Sequence, residues 1–406
     1  MKFKDLLHNI EEIKADFRVG KESRFTQRLT GVQPGGSGAD YHYRNPTEFY
    51  KGIERARHYE RNDAIVGQGL RRLAANIIQD GFSCDFSTGD AGLDAEWKAR
   101  QDEWATDPNQ CDSEGELDFV QQEKLTFLTV LRDGDILSLM RSDGALQSVE
   151  AHRIRTPWNT KKNTVHGVQM EEGSAKRLGY WITNEDLDPM KGHNQSLPMT
   201  RASAREDGVN KSALHLYMPS RFTQRRGMTV LAPCTDMIGM HDDLQFTTLV
   251  KQQMSSVLGI VRNRGPNWTP GGDKVYGERT EDTAAGYTRQ IEGMEAGIEV
   301  ASDIDETISM FGSNIPSSEF FQHTGLILTF IGINLDLPLC VLLLDPTKTN
   351  FSGWRGAIDQ ARMRFKQMQS WFIGAYHNPI TNWQIRRWMK EDPIARAIAT
   401  RRVKTK

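Results

Sequence analysis

The sequence predicts a helix-rich α+β fold in more than one domain, on three observations. The chain has 406 residues, more than one hydrophobic core usually serves. Apolar residues recur at helical spacing up to Leu131 and again from about residue 229, whereas residues 135–218 break into short apolar runs between turn signals. Hydrophobic residues make up 38% and charged residues 26%, with 35 Gly and 15 Pro, a globular composition that is neither disordered nor collagenous.

Residues 1–17 alternate charge with apolar side chains and read as a short amphipathic helix. They lack the apolar run and small-residue cleavage site of a secretion signal. Residues 20–46, rich in Gly, Arg and Ser, show no period and read as an extended arm or loop. Phe49, Ile53, Ala56 and Tyr59 then mark a helix. Asn62 and Asp63 are candidate N-caps of a second one carrying Val66, Leu70, Leu73, Ala74 and Ile77, which stops before Gly81. Leu93–Trp104 and Phe119–Leu131 read as two more helices, the latter ending in a turn at Asp133 and Gly134.

The runs DILSLM, ALQSVEAHRI, VHGVQM, RLGYWIT and ALHLYM predict an antiparallel β region, with 184–211 as a long loop or arm inside it. A long polar helix is expected over 229–257, with Pro233 in its first turn, where a missing N–H does no harm. VLGIVRN reads as a strand and GPNWTPGG as a loop. A further helix spans Ser317 to Ile333, with Ser317 or Ser318 capping and Glu319 placed favourably for the dipole. The last, from Ser352 to Ile373, carries two stripes: an apolar one of Trp354, Ile358, Ala361, Phe365, Met368 and Phe372, and a mostly basic one of Arg355, Asp359, Arg362, Lys366 and Gln369.

Net charge is −2, yet residues 278–310 hold nine acids against two arginines, and residues 351–406 hold 12 Lys plus Arg against three acids. Any nucleic-acid contact must therefore come from a local patch. There is no G-x-x-x-x-G-K-[ST], H-E-x-x-H or C-x-x-C, and Cys84, Cys111, Cys234 and Cys340 are widely spaced, as suits a reducing compartment. Gly67 and Gly69 lie within a helical pattern and read as packing positions, not a dinucleotide loop. His152, His166, His215, His241 and His323 are scattered and read as structural. Asp133, Asp135 and Asp143 suggest a metal-dependent nuclease only as an alternative, because each belongs to a turn sequence. Leu326–Leu344 is the most apolar stretch, but Asn334, Asp336 and Pro338 argue against a membrane span. No catalytic residue, metal or cofactor is expected.

Several segments, in order across residues 45–375, resemble the lambda-type family of phage portal proteins. They are RARHYERNDAIVGQGLRRLAANIIQDGF, the Trp97, Trp104, Cys111, Asp112, Gly115 segment, RDGDILSLM with LQSVEAHRIRTP, and HLYMPSRFTQRRGMTVLAPC with Arg226, Gly227, Leu231, Ala232 and Pro233. The last is the closing run with Asp345, Thr347, Asn350, Phe351, Ser352, Gly353, Arg355 and Ala357. The polar run usual after the proline is replaced by Val341–Leu344. The family also usually continues further beyond its channel helix than Lys406 does here, so a reduced or truncated crown is expected.

The resemblance implies a ring of about twelve subunits at one capsid vertex, conducting double-stranded DNA without sequence readout. It divides the chain into an arm (1–45), wing (46–228), first stem helix (229–257), acidic clip (258–312), second stem helix (313–335), tunnel loop and channel-lining helix (336–375) and basic C-terminal segment (376–406). DNA-facing candidates are Lys348, Asn350, Arg355, Arg362 and Lys366. Acidic clip or channel candidates are Glu292, Glu295, Glu299, Asp303 and Asp305. Subunit-interface candidates are Phe320, Leu326, Phe330, Trp371, Trp383 and Trp388. Implied partners are other copies of the chain, DNA, a terminase large subunit, a head-tail adaptor, the major capsid protein and scaffold, with no membrane. The implied setting is the virion, and the host cytoplasm during assembly. The alternatives are a metal-dependent nuclease or protease of the same assembly pathway, and an adaptor lacking a DNA channel.

Overall fold

The computed structural model describes residues 46–157, 163–186, 197–256, 260–264, 279–282, 288–291, 306–310, 318–345, 347, 350–393 and 396–397. The expected N-terminal helix and arm, the GPNWTPGG loop, the five acidic candidates between Glu292 and Asp305, and Lys348 lie outside these residues. The chain divides into two units, Met1–Met237 with Leu328–Lys406, and Ile238–Ile327.

The first unit opens with α1 (Pro46–Asn62) and α2 (Ala64–Ile78). They part at Asp63, whose carboxylate accepts from Ile65 N at 2.8 Å and Val66 N at 2.9 Å, satisfying donors that a helix start leaves free. Asn62 instead ends α1. Phe49, Ile53 and Ala56, then Val66, Leu70, Leu73 and Ile77, are buried at helical spacing. Gly67 and Gly69 are packing positions as expected. A Cβ at Gly67 would lie 2.3 Å from Glu60 O, and one at Gly69 would lie 2.9 Å from Leu342 Cδ1.

Next come α3 (Ala91–Thr106), the short α4 (Pro108–Cys111) and α5 (Phe119–Asp133). Asp118 and Gln121 form a reciprocal cap at the start of α5, and Gly134 ends it at φ 98°, a conformation open to glycine. Two antiparallel sheets follow. Strands β1 (Asp135–Met140) and β2 (Leu146–Glu150) join β7 (Ala213–Tyr217) in the order β2-β1-β7. The other sheet runs β3 (Thr164–Val165), β4 (Val168–Met170), β5 (Arg177–Thr183), β6 (Met199–Ser203). Leu137, Val149, Ile154, Val168, Tyr180 and Ile182 form a common core of these strands.

Two expectations need correction. Residues 184–211 are not all loop, since β6 pairs with β5 from Met199↔Thr183 to Ser203↔Gly179. None of its five residues is fully buried, so the strand has no apolar alternation to reveal it. The long helix also starts later than residue 229. Val230 N donates to Leu131 O at 3.0 Å and a 3₁₀ turn spans Ala232–Cys234, so α6 runs from Thr235 to Ser256. The backbone ahead of it is committed to α5.

In the second unit, β8 (Ile260–Arg264) pairs with β11 (Glu306–Met310), and β9 (Arg279–Asp282) with β10 (Thr288–Ile291), both antiparallel. Along α6, Met240, Phe246 and Leu249 are exposed, in keeping with a helix too polar to be buried.

Helix α7 (Ser318–Asn334) has Glu319 in its first turn. It leads through Asp336 into α8 (Leu339–Leu343) and then α9 (Phe351–Phe372). A π turn, Ile373–His377, passes α9 on to α10 (Asn378–Glu391). No helix of the described residues is long and apolar enough to cross a membrane. All four cysteines are free.

Candidate functional site

Helix α9 carries the basic stripe. Asn350 caps it, accepting from Gly353 N at 2.7 Å, and Asp345 Oδ1 steadies the turn before it by accepting from Thr347 N at 2.9 Å. Ala361, Phe365, Met368 and Phe372 are buried, with the Phe372 ring edge-on to Phe127 at 5.5 Å. Gln369 Nε2 donates to Ile77 O at 2.8 Å, tying the helix to α2.

With this seam held, Arg355, Arg362 and Lys366 are exposed on one stripe, spaced by seven and four residues. Arg362 pairs with Asp359 one turn earlier, Nη1 to Oδ1 at 3.3 Å. Arg364 pairs with Asp336 at 2.9 Å. Among the described residues, Arg355 and Lys366 have no ion-pair partner. Cations on a rigid helix suit phosphate contact, which orients a duplex and carries no sequence information. Asn350 differs from Arg355, Arg362 and Lys366, because its side-chain oxygen is spent on the helix start.

The interface candidates separate into two groups. Leu326 and Phe330 are exposed on α7, as are Phe321 and Ile333, while Phe320 and Trp371 are half-buried. Trp383 and Trp388, expected at a subunit interface, are each only 7% exposed. Trp388 packs with Leu93 and Trp97, and Arg387 lies over the Trp383 ring at 5.5 Å. Both are buried within the chain itself, Trp388 because α10 brings it against Leu93 and Trp97 of α3.

Behind these surfaces lies an ionic core that the sequence does not announce. Arg226 is fully buried and grips Asp135 bidentately, Nε to Oδ2 at 2.5 Å and Nη2 to Oδ1 at 3.0 Å. Its remaining donors reach Ile154 O at 3.0 Å, His166 O at 2.9 Å and Ala151 O at 2.6 Å. Gly227 N adds a bond to Asp135 Oδ2 at 2.9 Å, and a Cβ at Gly227 would stand 1.9 Å from Gly134 O. Nearby, Asp133 accepts from Arg57 Nη2 at 2.6 Å and Arg132 Nε at 2.8 Å, and Arg57 also reaches Glu150 at 2.8 Å.

Burial alone raises a carboxyl pKa, yet Arg226 and His215 hold Asp135 far below the usual carboxylate range. Burial, helped by Arg177 and Arg226, pushes His215 down to about 4 against the pull of Asp135. His215 is thus a neutral ring at pH 7. Its Nε2–H donates to Asp135 Oδ2 at 3.0 Å and its Nδ1 accepts from Arg177 at 3.0 Å. Turn chemistry accounts for Asp143, which accepts from Ala145 N at 3.1 Å, but not for Asp133 and Asp135. Those two hold guanidinium groups, which spends the oxygens a nuclease would need for a metal.

The ionic core joins Arg57, the RDGD turn, Glu150 and the Arg226-Gly227 pair, residues from separate segments of the chain. The sequence model described as phage portal protein, lambda family, matches residues 26–369, and the chain belongs to that family. Its role is that of a portal protein. No curated protein matches it. Among solved structures it is similar to a chain titled virion of native gene transfer agent particle, at TM-score 0.46 and 10% identity, covering 80% of this chain and 78% of that one. A chain titled neck of the native particle computed with C12 symmetry aligns at TM-score 0.46 and 9% identity, covering 91% and 93%. One titled neck of the empty particle computed with C6 symmetry aligns at 0.45 and 11%, covering 89% and 91%.

Proposed function

We propose that this chain closes into a homo-oligomeric ring of about twelve copies at one capsid vertex and conducts double-stranded DNA during packaging and ejection. Family membership over residues 26–369 carries the reading. In it, 46–228 forms the wing, 229–257 and 313–335 the stem, 258–312 the clip, and 336–375 the tunnel loop and channel-lining helix. The exposed basic stripe of α9 supports assigning that helix to the bore. Arg355, Arg362 and Lys366 touch phosphates transiently, one set per subunit, while Glu292, Glu295, Glu299, Asp303 and Asp305 repel the duplex and keep it moving. The exposed apolar side chains of α7, Leu326 and Phe330 among them, pack between neighbouring subunits.

The ring is not itself an enzyme in this reading. Packaging energy comes from a separate terminase docked on the clip, and the head-tail adaptor, capsid protein and scaffold are the other partners. Native mass spectrometry with negative-stain imaging is the direct test. A ring with a hole of roughly 20 Å or more, wide enough for a duplex, is expected. A monomer or dimer at every concentration, with or without scaffold, overturns the reading. Arg355→Glu with Lys366→Glu leaves the ring mass unchanged and lowers the DNA packaged per particle. Unchanged packaging would remove α9 from the bore.

A further inference from the structure

A second cluster of ionisable groups lies away from both α9's basic stripe and the Arg226 core. Cys84 follows α2 in an extended segment, half-buried, with its Sγ 3.1 Å from His377 Nε2 and 3.3 Å from Thr381 Oγ1. The other ring nitrogen, Nδ1, is 2.7 Å from Glu123 Oε1 on α5. His377 ends the π turn, a rare element that often marks functional sites. It is 3% exposed, and Glu123 is fully buried. Among the described residues, the second oxygen of Glu123, Oε2, meets no donor at hydrogen-bonding geometry, although the Phe82 backbone N–H faces the same carboxylate. A thiol, an imidazole and an orienting carboxylate thus stand in one hydrogen-bonded line, the arrangement that activates a nucleophile.

We propose that Cys84, His377 and Glu123 form an activated-thiol site that exchanges with low-molecular-weight disulfides, making Cys84 the covalent modification site of this chain. Nothing in a DNA channel calls for such a site, and His377 lies beyond residue 369, where the family match ends.

In the reaction, the Cys84 thiolate attacks one sulfur of the incoming disulfide. The new Sγ–S bond forms as the old S–S bond breaks, and the second sulfur departs as a thiolate that takes its proton from water. The proton that Cys84 gave up stays on His377, between Glu123 and the modified sulfur. Acyl transfer would also need donors for an oxyanion, whereas disulfide exchange needs only an activated thiol that a disulfide can reach, and Cys84 is half-buried rather than enclosed.

The electrostatics follow the geometry. Burial raises the Cys84 thiol, but the hydrogen bonds from His377 and Thr381 outweigh it and leave the thiol below its ordinary value. Burial would lower His377, but Cys84 and Glu123 push it up to about 9. Cys111 and Cys234 show the opposite. Burial lifts them to about 12 and about 11, and their thiols point to the carbonyls of Leu117 and Leu231.

The test is the rate of labelling of the purified full chain by an aromatic disulfide and by iodoacetamide between pH 5 and 10, with the modified cysteine mapped by peptide mass. Cys84 is expected to react first, with a midpoint below the pH of about 8.5 of an unperturbed thiol, and faster at pH 6 than such a thiol. Glu123→Gln and His377→Gln move the midpoint up and slow labelling at pH 6 about tenfold, and Cys84→Ser abolishes the fast phase. A wild-type midpoint near 8.5, or equal labelling of Cys111, overturns the proposal whether or not the variants fold. Thr381→Val, which leaves the triad intact, shifts the midpoint less than His377→Gln. An equal shift would show that His377 holds no special place.

Discussion

His215 and His377 are both buried beside a carboxylate, yet at neutral pH the first is neutral and the second a cation. Around His215, Arg226 and Arg177 already supply positive charge, so Asp135 is neutralised without the imidazole, and the ring is pushed down to about 4. Around His377, the described residues place no guanidinium on Glu123, and the ring is the group that becomes the cation, at about 9. The comparison teaches that burial pushes both rings towards neutrality and the carboxylate pulls them back, a pull that Arg177 and Arg226 weaken at His215 and that the described residues leave unopposed at His377. One cluster is therefore a closed structural knot, and the other keeps a reactive proton inventory.

The sharpest way to break the first cluster is Arg226→Met. It leaves Asp135 buried without its cation and frees three carbonyls, costing about 3–5 kcal/mol in chemical denaturation. Arg226→Lys restores only part of this, since an ammonium cannot match the five-bond fork. Gly227→Ala pushes a methyl into Gly134 O, costing about 1–3 kcal/mol by the same measurement.

Stability against pH separates the two histidines directly. His215 has a folded pKa below the unfolded value of about 6.5, so the unfolded chain binds the extra proton and stability falls as pH drops from there towards 4. His377 has a folded pKa above the unfolded one. Its contribution is full below about 6.5 and is lost as pH rises through about 9. Melting curves across pH 4–10 should thus show two limbs, with His215→Gln flattening the acid limb and His377→Gln the alkaline one. The smallest effect belongs to the exposed pair on α9. Asp359→Asn changes stability by no more than about 0.5 kcal/mol, and a larger loss would mean that Arg362 is held by more than Asp359.

Much of the fold is legible residue by residue. The α1–α2 boundary is written in Asp63, the end of α5 in Gly134, and the two faces of α9 in stripes whose apolar half, from Ala361 to Phe372, is buried. These are local signals, set by capping, glycine freedom and period. β6 is not legible, because an edge strand without buried side chains has no pattern to read. The late start of α6 is not legible either, because Leu131 claims the backbone of Val230. Trp383 and Trp388 carry no mark that separates a core aromatic from an interface anchor.

By itself, then, the sequence determined the helix-rich α+β order, the acid-to-base charge gradient and the family, since these depend on local period, composition and the order of short motifs. Only the tertiary structure decided that Arg226 meets Asp135 across 91 positions and that Cys84 meets His377 across 293. The physical reason is that a hydrogen bond acts over about 3 Å of space, and nothing in the spacing of two residues along a chain records that distance.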